Sequence, residues 1–340
     1  MAAKRPRKGA TLNDVARLAR VSAITVSRAL NTPDILSADT LERVRGAIRS
    51  TGYVPNLLAG GLRSAKSRLV AAVVPTITGP IFLDTIQGLT DALDAHGYQL
   101  ILGQAGYKDS REDALLDTII GRRPTGIVLT GMMHSAEGRR RLLNSGIPVV
   151  ETWDLTPTPI DMLVGFSHER IGEAVAEFLH QRGRRRPAII SGDDPRAARR
   201  AAGFTHACRR LGLAWAPYEQ VPVEWVSAPT TLASGRAGLG RLLAADAKID
   251  AIFASSDLLA FGVLTEAGAR GLAVPKALSV VGFGDLNLLA GVVPALTTVH
   301  VDGARMGRMA ADFIIARSEG RRVAEPVVDI GFSIVSRDSA

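Results

Sequence analysis

From Leu69 to Phe283 the chain alternates short apolar runs with amphipathic stretches of helical period, and few architectures accept that order. The apolar runs are Leu69–Pro75, Tyr98–Gly103, Gly126–Leu129, Pro148–Glu151, Leu163–Phe166, Pro187–Ser191, Ala251–Ala254 and Leu278–Phe283. The amphipathic stretches fall at 81–96, 111–122, 168–182, 197–211, 230–244, 258–270 and, beyond the last run, 304–317. Each run has strand length and is nearly continuous in apolar residues, which is the pattern of a strand buried on both faces. Strand–helix–strand order predicts an α/β body of parallel sheets covered by helices on both sides. Roughly 270 residues is large for one such sheet, so the pattern predicts two lobes with a ligand cleft between them.

The first fifth of the chain is different. Residues 1–66 hold twelve Lys/Arg against four Asp/Glu, whereas the remainder holds 29 of each sign, so the whole net charge of +8 lies in the opening segment. A localised basic segment beside a neutral body is the electrostatic footprint of a reader of phosphate backbones. Residues 11–52 also carry ordered helical signals. Thr11 caps a first helix with Asp14 as its acidic partner, and Leu12, Val15, Ala16 and Ala19 share one face. After a break at Arg20–Ser22, Ser22 caps a second helix with Val26 and Leu30 inward and Ala23, Ile24, Ser27 and Arg28 outward. Two short helices around such a turn form a helix-turn-helix, whose second helix enters the major groove. Thr25, Ser27 and Asn31 offer hydroxyls and an amide to phosphates, and Arg28 a guanidinium able to grip guanine. A third helix runs from Ser37 through Leu41, Val44 and Ile48 to Gly52.

These stretches, Thr11-Leu-Asn-Asp-Val-Ala, Val21-Ser-Ala-Ile-Thr-Val-Ser-Arg-Ala-Leu-Asn31 and Gly52-Tyr-Val-Pro-Asn56, together resemble the lactose/galactose repressor family. Arg20 departs from it, standing at the turn where the family usually has glycine. The resemblance implies a helix-turn-helix domain over 1–54, a hinge over 55–67 and a two-lobed effector-binding and dimerisation body of periplasmic-binding-protein type over 68–340. It implies that Thr11, Ser22, Ala23, Ile24, Thr25, Ser27, Arg28 and Asn31 face double-stranded DNA. In the hinge, Asn56 and Arg63 meet the backbone, Ala59 lets paired helices approach, and Leu62 wedges a base step in the minor groove. Gly60 and Gly61 cost such a helix roughly 2 kcal/mol of propensity, so it is expected to fold only against a partner helix and bent DNA. An ordinary flexible linker is the other reading of the same residues. The partners implied are a near-palindromic operator, a small sugar or sugar-acid effector and a second copy of the chain.

For the cleft, the resemblance carried over by position points to Ile81 and Phe82 as an apolar wall. It points further to Asp154, Phe166, Arg200, Ser256, Asp257 and Asp285, with Trp225 as a flat face for a sugar. Ser256 replaces the usual asparagine, and Gly284 stands where an acidic residue is common. His96-Gly-Tyr-Gln, Pro148-Val-Val-Glu151, Asp161-Met-Leu-Val-Gly-Phe-Ser167, Leu296-Thr-Thr-Val299 and Asp329-Ile-Gly-Phe332 resemble the gluconate-utilisation repressors in particular. A site that has lost acidic groups and kept Arg200 suits a carboxylate ligand. Whether such a ligand releases the operator or strengthens its binding is left open by the residues.

Catalytic motifs are missing. Gly-Phe-Gly at 282–284 lacks the third glycine and helix start of a dinucleotide fingerprint, and no phosphate loop or nucleophile elbow occurs. The six histidines are scattered and read as surface or helix-end residues, and Asp193-Asp194 read as a helix start before Pro195. No enzyme activity, cofactor or metal is expected. The lone Cys208, the absence of an apolar run of membrane length and a basic N-terminus without an apolar stretch predict a cytoplasmic protein. They also argue against a solute-binding protein that feeds a transporter. A sugar sensor that merely tethers to DNA without sequence preference remains the rival.

Overall fold

The computed structural model describes residues 9–54, 67–106, 109–131, 135–213 and 220–340, with backbone alone at 109 and 110. The hinge residues Asn56, Ala59, Leu62 and Arg63 lie outside the described residues. The chain divides into two compact units, Met1–Ser67 and Arg68–Ala340, here called the head and the body.

In the head, α1 (Leu12–Ala19), α2 (Ala23–Asn31) and α3 (Ala38–Thr51) close on a small core of Val15, Ala16, Ala19, Val26, Val44 and Ala47. Each helix starts where a hydroxyl satisfies an orphan N–H. Thr11 and Asp14 form a reciprocal capping box, Ser22 accepts from the Thr25 N–H at 3.1 Å, and Ser37 from the Thr40 N–H at 3.4 Å. Gly52 ends α3 in the left-handed region at φ 63°. Arg20 ends α1 in the same region, at φ 54° and ψ 47°, where a β-carbon crowds the following carbonyl. That conformation costs a non-glycine residue roughly 1–2 kcal/mol, against about 0.5–1 kcal/mol of extra unfolded-state freedom for glycine. Arg20→Gly is therefore expected to stabilise the head by about 0.5–1 kcal/mol. Hydrogen exchange at the amides of α1–α3 across a urea series checks this; an unchanged or lower protection would show that Arg20 gains as much from its surroundings as it loses to strain.

The body holds two six-stranded sheets among the described residues. The first has the order β11-β5-β4-β3-β1-β2, formed by β1 (Leu69–Val74), β2 (Gln99–Gln104), β3 (Gly126–Thr130), β4 (Val149–Thr152), β5 (Met162–Gly165) and β11 (Val327–Asp329). The second has the order β12-β10-β9-β8-β6-β7, formed by β6 (Pro187–Gly192), β7 (Val223–Val226), β8 (Ala251–Ala254), β9 (Ser279–Phe283), β10 (Thr297–His300) and β12 (Ser333–Val335). All pairings are parallel except β10 with β12. The central strands are buried along their length, as their unbroken apolar runs predict.

The chain passes between the lobes three times: after β5, after β10, and between β11 and β12. Between strands run α4 (Leu83–Ala95), α5 (Asp109–Gly121), α6 (Ala136–Ser145), α7 (His168–Gln181), α8 (Pro195–Arg210), α9 (Leu232–Ala245), α10 (Asp257–Ala269) and α11 (Gly303–Ser318). Three helix pairs cover the sheets: α4 with α11 on the first lobe, and α7 with α8 and α9 with α10 on the second. Each pair meets backbone to backbone at reciprocal glycines. In α7 and α8, a β-carbon on Gly172 would stand 2.1 Å from the Arg200 carbonyl oxygen, and one on Gly203 2.1 Å from that of Glu169. Gly88 with Gly307, and Gly235 with Gly262, repeat the arrangement in the other two pairs. No described helix is long and apolar enough to cross a membrane.

Candidate functional site

The two candidate sites are the outer face of α2 in the head and the cleft in the body. On α2, Arg28 and Asn31 are exposed, Thr25 and Ser27 are half-buried, and Ile24 is 66% exposed. Ser22 and Thr25 place their hydroxyls 2.9 Å apart, and the Asn31 side-chain amide donates to the Ser27 carbonyl at 2.8 Å. Ala23 differs from expectation: it packs against the head core rather than standing fully outward. It is half-buried there, which the helical spacing alone did not reveal.

In the body, the cleft encloses about 690 Å³ of empty space, part of it open to solvent. It is lined by Thr76, Pro80, Ile81 and Phe82 after β1, by Trp153 after β4, and by His168 at the start of α7. Asp194, Arg196 and Arg200 line it from α8, and Thr230, Ser255, Ser256, Asp257, Phe283 and Leu286 complete it. Nearly all follow the carboxyl ends of parallel strands, where helix N-termini converge and a ligand site forms in open α/β sheets.

An aromatic ladder supports the floor. Phe82 meets Trp153 edge to face at 5.1 Å, Trp153 meets Phe166 at 5.6 Å, and Phe166 meets His168 at 4.8 Å. Trp153 is held at φ 66° and donates its indole N–H to Thr85 at 3.0 Å. A bulky residue in that region is uncommon, and here packing on every side fixes it.

Arg200, 5% exposed, sits behind this floor. One terminal nitrogen donates to His168 Nδ1 at 2.8 Å and the other to the Ser255 carbonyl at 2.9 Å, while the guanidinium lies 4.1 Å from the Phe283 ring centroid. Because an arginine has no acceptor, His168 Nδ1 accepts and its proton rests on Nε2, which donates to the Trp153 carbonyl at 2.9 Å. Burial, then the Arg200 and Arg196 charges, hold the His168 pKa well below its ordinary value, so the ring stays neutral. Burial likewise lowers Arg200 to about 10, which leaves it charged at neutral pH.

Asp257 is buried at the head of α10. Its oxygens accept from the Thr298 hydroxyl at 2.6 Å and the Leu286 N–H at 2.7 Å, yet burial raises its pKa to about 6. The folded protein therefore keeps a proton there that the unfolded chain has released. Stability from this group is present below about pH 4 and is lost as pH rises through about 6. The stability of wild type minus that of Asp257→Asn is expected to fall by about 2–3 kcal/mol between pH 4 and 7, by urea unfolding. A difference flat across that range would show that Asp257 titrates normally.

Ile81, Phe82, Arg200, Ser256 and Asp257 thus come together at the cleft, and four other expected residues do not. Asp154 is turned into an ion pair with Arg199 and accepts from the Leu155 N–H. Phe166 is wholly buried within the aromatic ladder, behind the wall. Asp285 is taken up by Arg337 at 2.6 Å and His300 at 3.0 Å. Trp225, 49% exposed, lies on the edge strand β7 and lines a separate depression with Val221, Pro222 and Leu242. Partners 45 and 52 residues away decide the first and third cases, and no local pattern announces them.

Trp153, His168, Asp194 and Arg196 were not foreseen as cleft residues. His168 does stand at a helix end, but it is buried at 2% exposure. Asp194 does cap α8, accepting from the Arg196 and Ala197 N–H groups, and lines the cleft as well. The usable signal was position, since each follows or starts an element at the strand ends.

Residues 11–56 match the model of bacterial regulatory proteins of the lacI family, and residues 176–340 that of periplasmic binding protein-like domains. The HTH-type transcriptional regulator GntR of Pseudomonas aeruginosa is 36% identical over 97% of this chain and 95% of its own. A solved transcriptional regulator of the LacI family from Silicibacter pomeroyi superposes with a TM-score of 0.90 at 31% identity, covering 97% of this chain and 99% of its own. A lac repressor dimer bound to operator and the anti-inducer ONPF shares the fold, with a TM-score of 0.80 at 22% identity over 98% of this chain and 99% of its own.

Proposed function

The chain belongs to the lacI family of bacterial regulatory proteins, and we propose that it is a repressor held as a homodimer on a near-palindromic operator and switched by a sugar acid of the gluconate kind. The observation that carries the ligand class is a guanidinium donor edge, that of Arg196, left open among the described residues of the cleft. Two guanidinium groups, Arg196 and Arg200, line it. The two carboxylates there already accept hydrogen bonds from the protein: Asp194 through Oδ1 from two backbone N–H groups, and Asp257 through both oxygens from Thr298 and Leu286. Such a wall favours an anion with hydroxyls over a neutral sugar. The name GntR of the Pseudomonas aeruginosa relative, and the motifs shared with gluconate-utilisation repressors, support the same choice.

The head supports the other half of the reading. Its exposed Arg28 and Ile24 stand on the second helix of a helix-turn-helix, with guanine and the thymine methyl as their natural base partners. The domains proposed are 1–54 for DNA, 55–67 as hinge and 68–340 for effector and dimer.

Selection from a randomised duplex pool, followed by binding assays across a salt series, tests the repressor reading. A selected palindrome is expected to bind about a thousandfold or more above a scrambled duplex at each salt concentration. Arg28→Ala is expected to lose about 1–3 kcal/mol of discrimination at one base pair per half-site. A ratio near one at every salt would mean a nonspecific tether.

A further inference from the structure

Three arginines crowd the first turns of α8, and their commitments differ. Arg199 is paired with Asp154. Arg200 has both terminal nitrogens engaged, by His168 and the Ser255 carbonyl, and its remaining Nε is buried without a partner. Two of its five N–H donors are spent on protein acceptors, one from each terminal nitrogen, and with the group 5% exposed and stacked on Phe283 those bonds fix its fork toward His168 and Ser255.

Arg196 is the opposite case. Its guanidinium lies against the Phe82 ring, 5.3 Å from the centroid, and forms part of the cleft wall. One terminal nitrogen reaches the Thr130 carbonyl at 3.5 Å, the limit of a hydrogen bond, and Nε stands 3.9 Å from Asp194, beyond one. Its other terminal nitrogen engages no group among the described residues. Asp194 does not fill the fork: Oδ1 accepts the first N–H groups of α8 and stands beyond hydrogen-bond distance of Nε. The flat face of the guanidinium is fixed by an aromatic ring while its donor edge remains available, which is the state in which arginine recognises a planar carboxylate with two parallel bonds.

We infer that Arg196, rather than Arg200, grips the carboxylate of the effector. Arg200 is a positioning residue that ties His168 to the strand end at Ser255 and so shapes the wall. This assignment rests on the sugar-acid reading above and names the atom group that makes the choice.

Calorimetric titration of the full chain with gluconate and with gluconamide, its neutral isostere, separates the two ideas. Wild type is expected to prefer gluconate. Arg196→Gln is expected to lose about 10- to 100-fold in gluconate affinity, to hold gluconamide within a factor of about three, and to unfold at the wild-type temperature. Arg196→Lys should recover part of the preference, since it restores the charge without the fork. Arg200→Gln should lower the unfolding temperature and weaken both ligands alike. Wild type that binds both ligands equally overturns the sugar-acid reading together with this assignment. Wild type that prefers gluconate, with that preference intact in Arg196→Gln, overturns the assignment alone.

Discussion

Replacing Arg200 by alanine is expected to destabilise the body by about 2–4 kcal/mol and to abolish the response of operator binding to effector. The estimate follows from what the side chain holds. Its removal leaves the buried Ser255 carbonyl and His168 Nδ1 without donors, at roughly 1–3 kcal/mol each, and opens a cavity under Phe283. Relief from burying a cation returns part of that loss. The neutral His168 would then accept nothing at Nδ1, and its bond to the Trp153 carbonyl would no longer be fixed by tautomer. Because Trp153 and His168 both line the cleft, the wall loses its shape together with its charge. Urea unfolding and operator titration with and without gluconate read the two effects. A variant as stable as wild type that still responds to effector would show that Arg200 is dispensable.

Gly203→Val is expected to be more damaging to folding, by about 3 kcal/mol or more. A β-carbon there would stand 2.1 Å from the Glu169 carbonyl oxygen and 2.9 Å from the Glu169 α-carbon, so α7 and α8 must separate along their shared face. His168 precedes Glu169 by one residue and Arg200 precedes Gly203 by three, so the same separation pulls apart the pair behind the cleft. Gly121→Ala is the control, since its added methyl meets nothing within 4 Å; it should be neutral or gain a few tenths of a kcal/mol. Thermal unfolding with gluconate titration separates the cases. Equal losses from both variants would deny that the helix contact matters.

The sequence makes the head legible almost residue by residue, because caps are local. Thr11, Ser22, Ser37 and Gly52 announce the helix ends, and the structure places them there. Most interior strands of the body are legible for a related reason, since burial on both faces leaves an apolar run; β10 is the exception, because it buries Thr297 and Thr298. Of the edge strands, β2 keeps an apolar run in Leu100–Leu102, but β7, β11 and β12 leave none, since Trp225 and Val327 are exposed and the partners are distant. Helix α6 hides because its sequence, AEGRRRLLNS, buries only Gly138 and Leu142. In the cleft, the expected residues that do line it, such as Ile81, Phe82 and Ser256, are those whose position at a strand end suffices. Asp154 and Asp285 were assigned to a ligand because their arginines, Arg199 and Arg337, are brought to them only by the fold. Arg196 escaped notice for the converse reason: nothing in a run of arginines tells which one the fold leaves available.

The coupling of ligand to DNA is tested most directly by one titration: operator affinity of the full chain, by fluorescence anisotropy at fixed salt, against rising gluconate concentration. A saturable change of about 5- to 150-fold is expected, its direction distinguishing induction from corepression. Operator affinity that stays constant while calorimetry shows the cleft filled would contradict the account.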